Sequence, residues 1–172
     1  MEKVIFDRDA INRSLKRIAH EILEKNRDLD DVVLVGIKTR GVFLAERLSK
    51  LIRAFEGVDI PFLALDVRGY RDDAKREACG SSEQPEMALS KKAVIIVDDV
   101  LYTGRTVRAA MEAVLEYGRP KSVQLATLID RGHRELPIRA DYTGKNIPTS
   151  RLETVSVFLT EVDGEDLVVI KD

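Results

Sequence analysis

Three short apolar runs, Val32 to Ile37 (VVLVGI), Ala93 to Val97 (AVIIV) and Ser122 to Ile129 (SVQLATLI), constrain the fold of this chain more than any other feature. The first two are β-branched and do not alternate with polar residues, the pattern of strands covered on both faces. Between them lie helical patterns: Phe43, Leu44, Leu48, Leu51 and Ile52 after the first run, and Thr106 to Tyr117 after the second, closed by Gly118 and Pro120. Phe62 to Val67 reads as a further strand. Strand and helix in alternation predict an α/β fold, a parallel sheet flanked by helices, with ligands at the carboxyl ends of the strands.

The flanks are simpler. A short strand is expected at Val4 to Phe6, then a helix with Ile11, Leu15, Ile18 and Ile22 on one stripe and Asp7 or Asp9 as its cap. Val155 to Leu159 and Leu167 to Ile170, around Asp163-Gly164, predict a small two-strand hood. The polar stretch from Arg68 to Lys92 predicts a long loop of the kind that forms lids. No repeat or linker divides the chain. We expect one domain over residues 1–172, a lid near 68–92, and a hood from about residue 131 to 172 together with the N-terminus.

Composition narrows the function classes. With 172 residues, 44% hydrophobic, the chain can bury a core without staples, and its one cysteine, Cys79, has no internal partner, which suits a reducing, cytoplasmic setting. No run approaches the roughly 20 apolar residues of a membrane span, and MEKVIFDRDA lacks the order of a signal peptide, so a soluble, unprocessed protein with no membrane partner is expected. Net charge is −2, so any polyanion site must come from local clustering of the 28 Lys and Arg. The two histidines, His20 and His133, are too scattered for a metal site, and there is no Ser/His/Asp set.

The chemistry concentrates in Asp98, Asp99, Val100, Leu101, Tyr102, Thr103, Gly104, Arg105 and Thr106. Two carboxylates leave the buried strand where a helix has not yet begun. Thr103 to Thr106 then supplies hydroxyls, a permissive glycine and free amides at a helix N-terminus, donors suited to a phosphate monoester. Carboxylates suit sugar hydroxyls or hydrated Mg²⁺. Acid pair plus cup match a ribose 5-phosphate; the T-G step alone would equally suit a capped helix start. The nine residues resemble the phosphoribosyl pyrophosphate (PRPP) signature of type I phosphoribosyltransferases.

Thr39-Arg40-Gly41 closes the preceding strand at the same edge, and by itself is as well read as a plain turn. The type I resemblance implies that it neutralises pyrophosphate, often through a cis or strained non-proline bond, expected here at Thr39-Arg40. Tyr70 and Arg71 open the long loop and are placed to close over PRPP, or else to move freely in solvent. Arg131, after Asp130 at the next strand end, is a candidate for the nucleotide.

RIAHE (17–21), LVGIKTRG (34–41), YRDD (70–73), VDDVLYTGRTVRA (97–109) and DRGHRELPIRADYTGKNIPTS (130–150) resemble the PyrR family of pyrimidine operon attenuation regulators over almost the whole chain. That resemblance implies a regulator that binds pyrimidine operon leader RNA when loaded with uridine nucleotide, UMP or UTP, and promotes transcription termination. It also implies a uracil phosphoribosyltransferase that converts uracil and PRPP to UMP and pyrophosphate. Asp98, Asp99 and Arg40 would be catalytic, Thr39-Arg40 would take pyrophosphate, residues 98–106 would hold ribose 5-phosphate, and Arg131 and the backbone near Val155 would meet the nucleotide or its base. Mg²⁺ would arrive with PRPP, and a homodimer or higher homo-oligomer is expected. Arg68-Gly69 before Tyr70 and a short 72–92 segment depart from the family pattern and bear on the lid.

On the first helix Arg13, Lys16, Arg17 and His20 share one face opposite the apolar stripe. Alone, this reads as a solvated face. With Arg134, Arg139 and Lys145, from the segment that resembles the family's RNA-binding part, it becomes an RNA surface. At 5% aromatic residues and no Trp, the chain is expected to bind RNA through charge and hydrogen bonds more than stacking. Two other readings remain open: a nucleotide-sensing RNA regulator with vestigial transferase activity, and a purine phosphoribosyltransferase.

Overall fold

The computed structural model describes residues 1–70 and 88–172. In chain order it comprises β1 (Glu2–Phe6), α1 (Arg8–Lys25), β2 (Val32–Ile37), α2 (Arg40–Glu56), β3 (Phe62–Leu65), β4 (Ala93–Leu101), α3 (Arg105–Glu116), β5 (Ser122–Asp130), β6 (Tyr142–Asn146), β7 (Thr154–Phe158), α4 (Thr160–Asp163) and β8 (Leu167–Lys171). Five parallel strands form the main sheet in the order β3-β2-β4-β5-β6. β1, β8 and β7 form a separate antiparallel sheet, the hood.

The two faces of the main sheet sort the apolar residues by parity. Val32 and Leu34 of β2 and Ile95 and Val97 of β4 join a core with Ile11, Leu15, Ile18 and Ile22 of α1, Leu44, Leu48 and Ile52 of α2, and hood residues including Val157 and Val168. Val33, Val35, Ile37, Val94 and Ile96 point the other way, against Val107, Ala110, Ala113 and Val114 of α3. Both faces are therefore covered, as the unalternating runs predict. At about 1.5 to 3 kcal/mol per buried aliphatic side chain, these layers are the main source of stability. Asp7 caps α1, its Oδ1 accepting from Ala10 N at 2.8 Å.

Several boundaries differ from expectation, and each difference moves the site. β4 runs through Asp98 and Asp99 to Leu101, because its ladder with β5 continues past the last apolar residue to pair Asp98 with Thr127 and Leu101 with Asp130. α3 starts at Arg105, and β3 ends at Leu65. The hood begins later than residue 131: Tyr142–Asn146 is the edge strand of the main sheet, paired in parallel with β5, and Tyr142 is buried there. Of the expected lid, Arg68–Tyr70 is a short 3-10 turn, while Arg71 lies outside the described residues, as does Cys79.

Candidate functional site

β2, β4 and β5 end side by side, so Thr39, Asp98 to Leu101 and Asp130 share one edge of the sheet. Close packing of α2 against that edge depends on Gly41, where a Cβ would come within 2.3 Å of the Val97 carbonyl oxygen. The cis peptide of this turn joins Lys38 to Thr39, one bond upstream of the expected position. Arg40 is already the first residue of α2, so the turn is completed before the Thr39-Arg40 bond.

Asp98 is buried and Asp99 half-buried. Asp98 Oδ1 accepts from Asp99 N at 2.9 Å, and Asp99 Oδ1 accepts from Val100 N at 2.8 Å. Burial, and then the neighbouring Asp99 charge, push the Asp98 carboxyl well above the usual carboxylate range. Asp98 is thus held towards its neutral, hydrogen-bond-donating form.

Beyond Leu101 the chain turns through Tyr102, Thr103 and Gly104, whose φ of 92° is the left-handed conformation that glycine tolerates, and enters α3. The N-cap, Gly104, has no side chain to cap this helix start, and Thr103 Oγ1 accepts from Arg105 N at 3.3 Å. Amides at such a helix start are suited to an anion. The segment after β5 holds the cup from below. Glu135 N and Leu136 N donate to the Thr103 carbonyl at 2.9 and 3.2 Å, and Arg134 donates from Nη1 to the Tyr102 carbonyl at 2.9 Å and from Nε to the Ile138 carbonyl at 2.8 Å. Arg134 Nη2 also pairs with Asp130.

Arg131 is only 6% exposed and lies with its guanidinium carbon 4.0 Å from the centre of the Tyr102 ring. Its Nη2 donates to the Ser150 carbonyl at 3.1 Å, but its buried Nε has no partner among the described residues. An orphaned, buried donor on a cation costs stability unless an acceptor arrives. Val155 is buried on β7. Among the described residues no group of three or more His, Cys, Asp or Glu is placed to hold a metal ion.

The other expected residues divide between two places. Arg40 pairs with Asp163 of α4, and Tyr70 donates its hydroxyl to Glu116 while its carbonyl accepts from Arg108 at 3.2 Å. Arg13, Lys16, Arg17 and His20 are exposed on α1. Arg17 Nη2 reaches the Thr143 and Gly144 carbonyls of β6 at 3.0 and 2.5 Å, which brings the α1 face beside exposed Lys145. Arg139 is exposed on the loop before β6. Arg134 is half-buried, with Nε, Nη1 and Nη2 engaged by the Ile138 and Tyr102 carbonyls and Asp130, so it braces the turn between β4 and α3.

Residues 3–162 match the phosphoribosyl transferase domain. A bifunctional protein PyrR of Pelotomaculum thermopropionicum is 58% identical over 96% of this chain and 93% of its own length, and one from Bacillus velezensis is 54% identical over 97% and 95%. The pyrimidine operon regulatory protein of Lactococcus lactis is 52% identical over 98% and 96%. The chain belongs to the PyrR family. Among solved structures, the hypoxanthine phosphoribosyltransferase of Trypanosoma cruzi in complex with IMP superposes with a TM-score of 0.76 at 22% identity, covering 98% of this chain and 94% of that one. The enzyme of Staphylococcus aureus gives 0.74 at 21%, over 97% and 90%. These two establish the type I phosphoribosyltransferase fold.

Within this PyrR-family chain, motif reading missed Arg47 and the hood acids Glu161, Asp163 and Asp166. Arg40 and Arg47, seven apart and on one face of α2, meet the acidic segment after β7. Arg47 binds Glu161 at 2.6 and 2.8 Å and Asp166 at 2.8 and 2.9 Å. The Glu161 carboxylate, first, raises the Arg47 pKa. The only sequence signal was the acid run Glu161 to Asp166 itself.

Proposed function

We propose that the chain is a bifunctional PyrR: a uracil phosphoribosyltransferase making UMP and pyrophosphate, and a uridine-nucleotide-responsive regulator of pyrimidine operon attenuation through leader RNA. The observation that carries the reading is the meeting at one sheet edge of the Asp98-Asp99 pair, the amide cup at α3, and buried Arg131 with an unpartnered Nε. The family relatives at more than half identity support the regulatory half.

In this reading the 5-phosphate sits on the amides of Thr103 to Thr106, whose aligned N–H groups favour an anion. Ribose hydroxyls meet Asp98 and Asp99, with Asp98 donating and Asp99 charged. Thr39 and Arg40 take the pyrophosphate, which arrives with Mg²⁺. Uracil N1 bonds to the anomeric carbon as the carbon–oxygen bond to pyrophosphate breaks, and the N1 proton is released. The ribose becomes cationic along this path. Fixed charge from Asp99 beneath it and from Arg40 on the leaving group stabilises the transition state more than the ground state. Arg131 and the backbone near Val155 bind the nucleotide or base, and Tyr70 helps exclude water.

The exposed cations of α1, with Arg139 and Lys145, form the RNA face. Both PRPP and nascent leader RNA are cytoplasmic, and the protein works there. A homodimer or higher homo-oligomer fits the exposed Met111 and Leu115, one turn apart on α3.

A turnover assay with PRPP and a panel of uracil, hypoxanthine and guanine tests the enzyme half. UMP formation from uracil alone is expected. Preference for a purine, or no turnover beside intact RNA binding, would refute it.

A further inference from the structure

His20 of α1 and Phe55, in the last turn of α2, form a parallel ring stack on the protein surface. Their centroids are 4.1 Å apart and the planes are inclined by 11°. His20 is exposed, and Phe55 keeps 37% of its surface in solvent even with the imidazole against it. Phe6, by contrast, is buried in the core and Phe43 packs against it.

The stack sits within a row of cations. Lys16 and Arg17 lie one helical turn before His20, and Arg13 two turns before, all exposed on the same face of α1. Flat, partly bare rings beside cations are the combination by which proteins hold unpaired nucleobases: the cations follow the phosphates and the ring accepts the base. Duplex RNA offers no base face to such a platform.

We propose that the His20–Phe55 stack is a platform for one unpaired base of the leader RNA, with Phe55 as an RNA-contacting residue. The proposal rests on the RNA-binding reading of the α1 face and adds one stacking contact to a surface expected to act mainly through charge and hydrogen bonds. Its occupant is single-stranded RNA, because the flanking charge is complementary to a phosphate backbone.

The test uses the full-length, UMP-saturated protein and pyrimidine operon leader RNA, titrated by fluorescence anisotropy at several KCl concentrations. Phe55→Leu, which keeps apolar volume but loses the ring, is expected to weaken binding about tenfold, the scale of one base–aromatic stack. Phe55→Tyr is expected to bind like the parent. The salt slope should be unchanged in both, whereas Lys16→Ala lowers it by about one phosphate contact. Parent-like binding by Phe55→Leu overturns the platform while leaving the RNA reading intact. A lower sedimentation coefficient in Phe55→Leu also overturns it, since the rings would then meet a second copy of the chain. A parent protein that fails to bind the leader refutes the underlying reading and the platform with it.

Discussion

Arg40 and Asp163 form a two-pronged ion pair, Nε to Oδ2 at 3.2 Å and Nη2 to Oδ1 at 2.8 Å, that joins the first residue of α2 to the last residue of α4. Asp163 Oδ2 also accepts from Leu159 N at 2.8 Å, and the Arg40 hydrogen bonds hold its carboxyl below the usual range. The cation assigned to pyrophosphate is therefore already engaged by the hood before substrate arrives. Asp163→Asn keeps an acceptor for Leu159 N and removes the competing charge. Initial-rate kinetics should show a severalfold lower KM for PRPP. An unchanged KM would mean that Arg40 reaches pyrophosphate without leaving Asp163.

A second outcome follows from Asp98. Its folded pKa is raised above the unfolded value of about 3.9, so between the two the folded state binds the extra proton and stability falls as pH rises. Asp98→Asn removes that dependence. Melting temperature should rise relative to the parent at neutral pH, with the gain vanishing near about pH 4. Uracil turnover should meanwhile fall about a hundredfold, the scale of one lost preorganised group.

The hood is anchored by Arg47, whose side chain is 17% exposed against 6% for Asp166. Arg47→Met leaves that buried carboxylate unpaired and should cost about 3 kcal/mol in urea unfolding. The acid limb reports the same contact. Asp166, despite its burial, is drawn down to about 2, first by its hydrogen bonds from Arg47, and Glu161 is lowered by Arg47 too. Both carboxyls contribute stability above the ordinary carboxylate range; Asp166 loses its share as pH falls towards 2, and Glu161 loses its share below the ordinary range. The variant should flatten this dependence.

The sheet was legible in sequence because its signals are local. Val32 to Ile37 and Ala93 to Val97 announce strands by composition, and Asp98 to Thr106, the turn from β4 into α3, is proposed to carry both halves of a sugar-phosphate site within nine residues. β6 was not legible: YTGKN has one large apolar residue, and an edge strand needs cover on one side only. Arg40 with Asp163, Arg47 with Asp166 and His20 with Phe55 pair across long separations that no local pattern encodes. The bracing bonds of Arg134 were hidden for a related reason, because its charge is visible in the sequence but the carbonyls it binds are not.

What holds β6 in place is a buried polar network. Asn26 Nδ2 donates to Tyr142 Oη at 3.0 Å, Gln124 Nε2 to Asn26 Oδ1 at 2.8 Å, and Tyr142 Oη to Gln124 Oε1 at 2.5 Å. Burial pushes the Tyr142 phenol up to about 12. Tyr142→Phe should cost about 1 kcal/mol, and Gln124→Leu, which strands two buried partners, about 2 to 3 kcal/mol. Chemical denaturation measures both, and equal costs would show that the network is not shared.

The central claim is that the pocket built on Asp98 to Thr106 and Arg131 both makes UMP and senses it for the α1 RNA face. The direct measurement is affinity for pyrimidine operon leader RNA with and without UMP. Tighter binding with UMP, abolished by Arg131→Ala, is predicted. Binding that ignores UMP and does not discriminate between RNA sequences would contradict it.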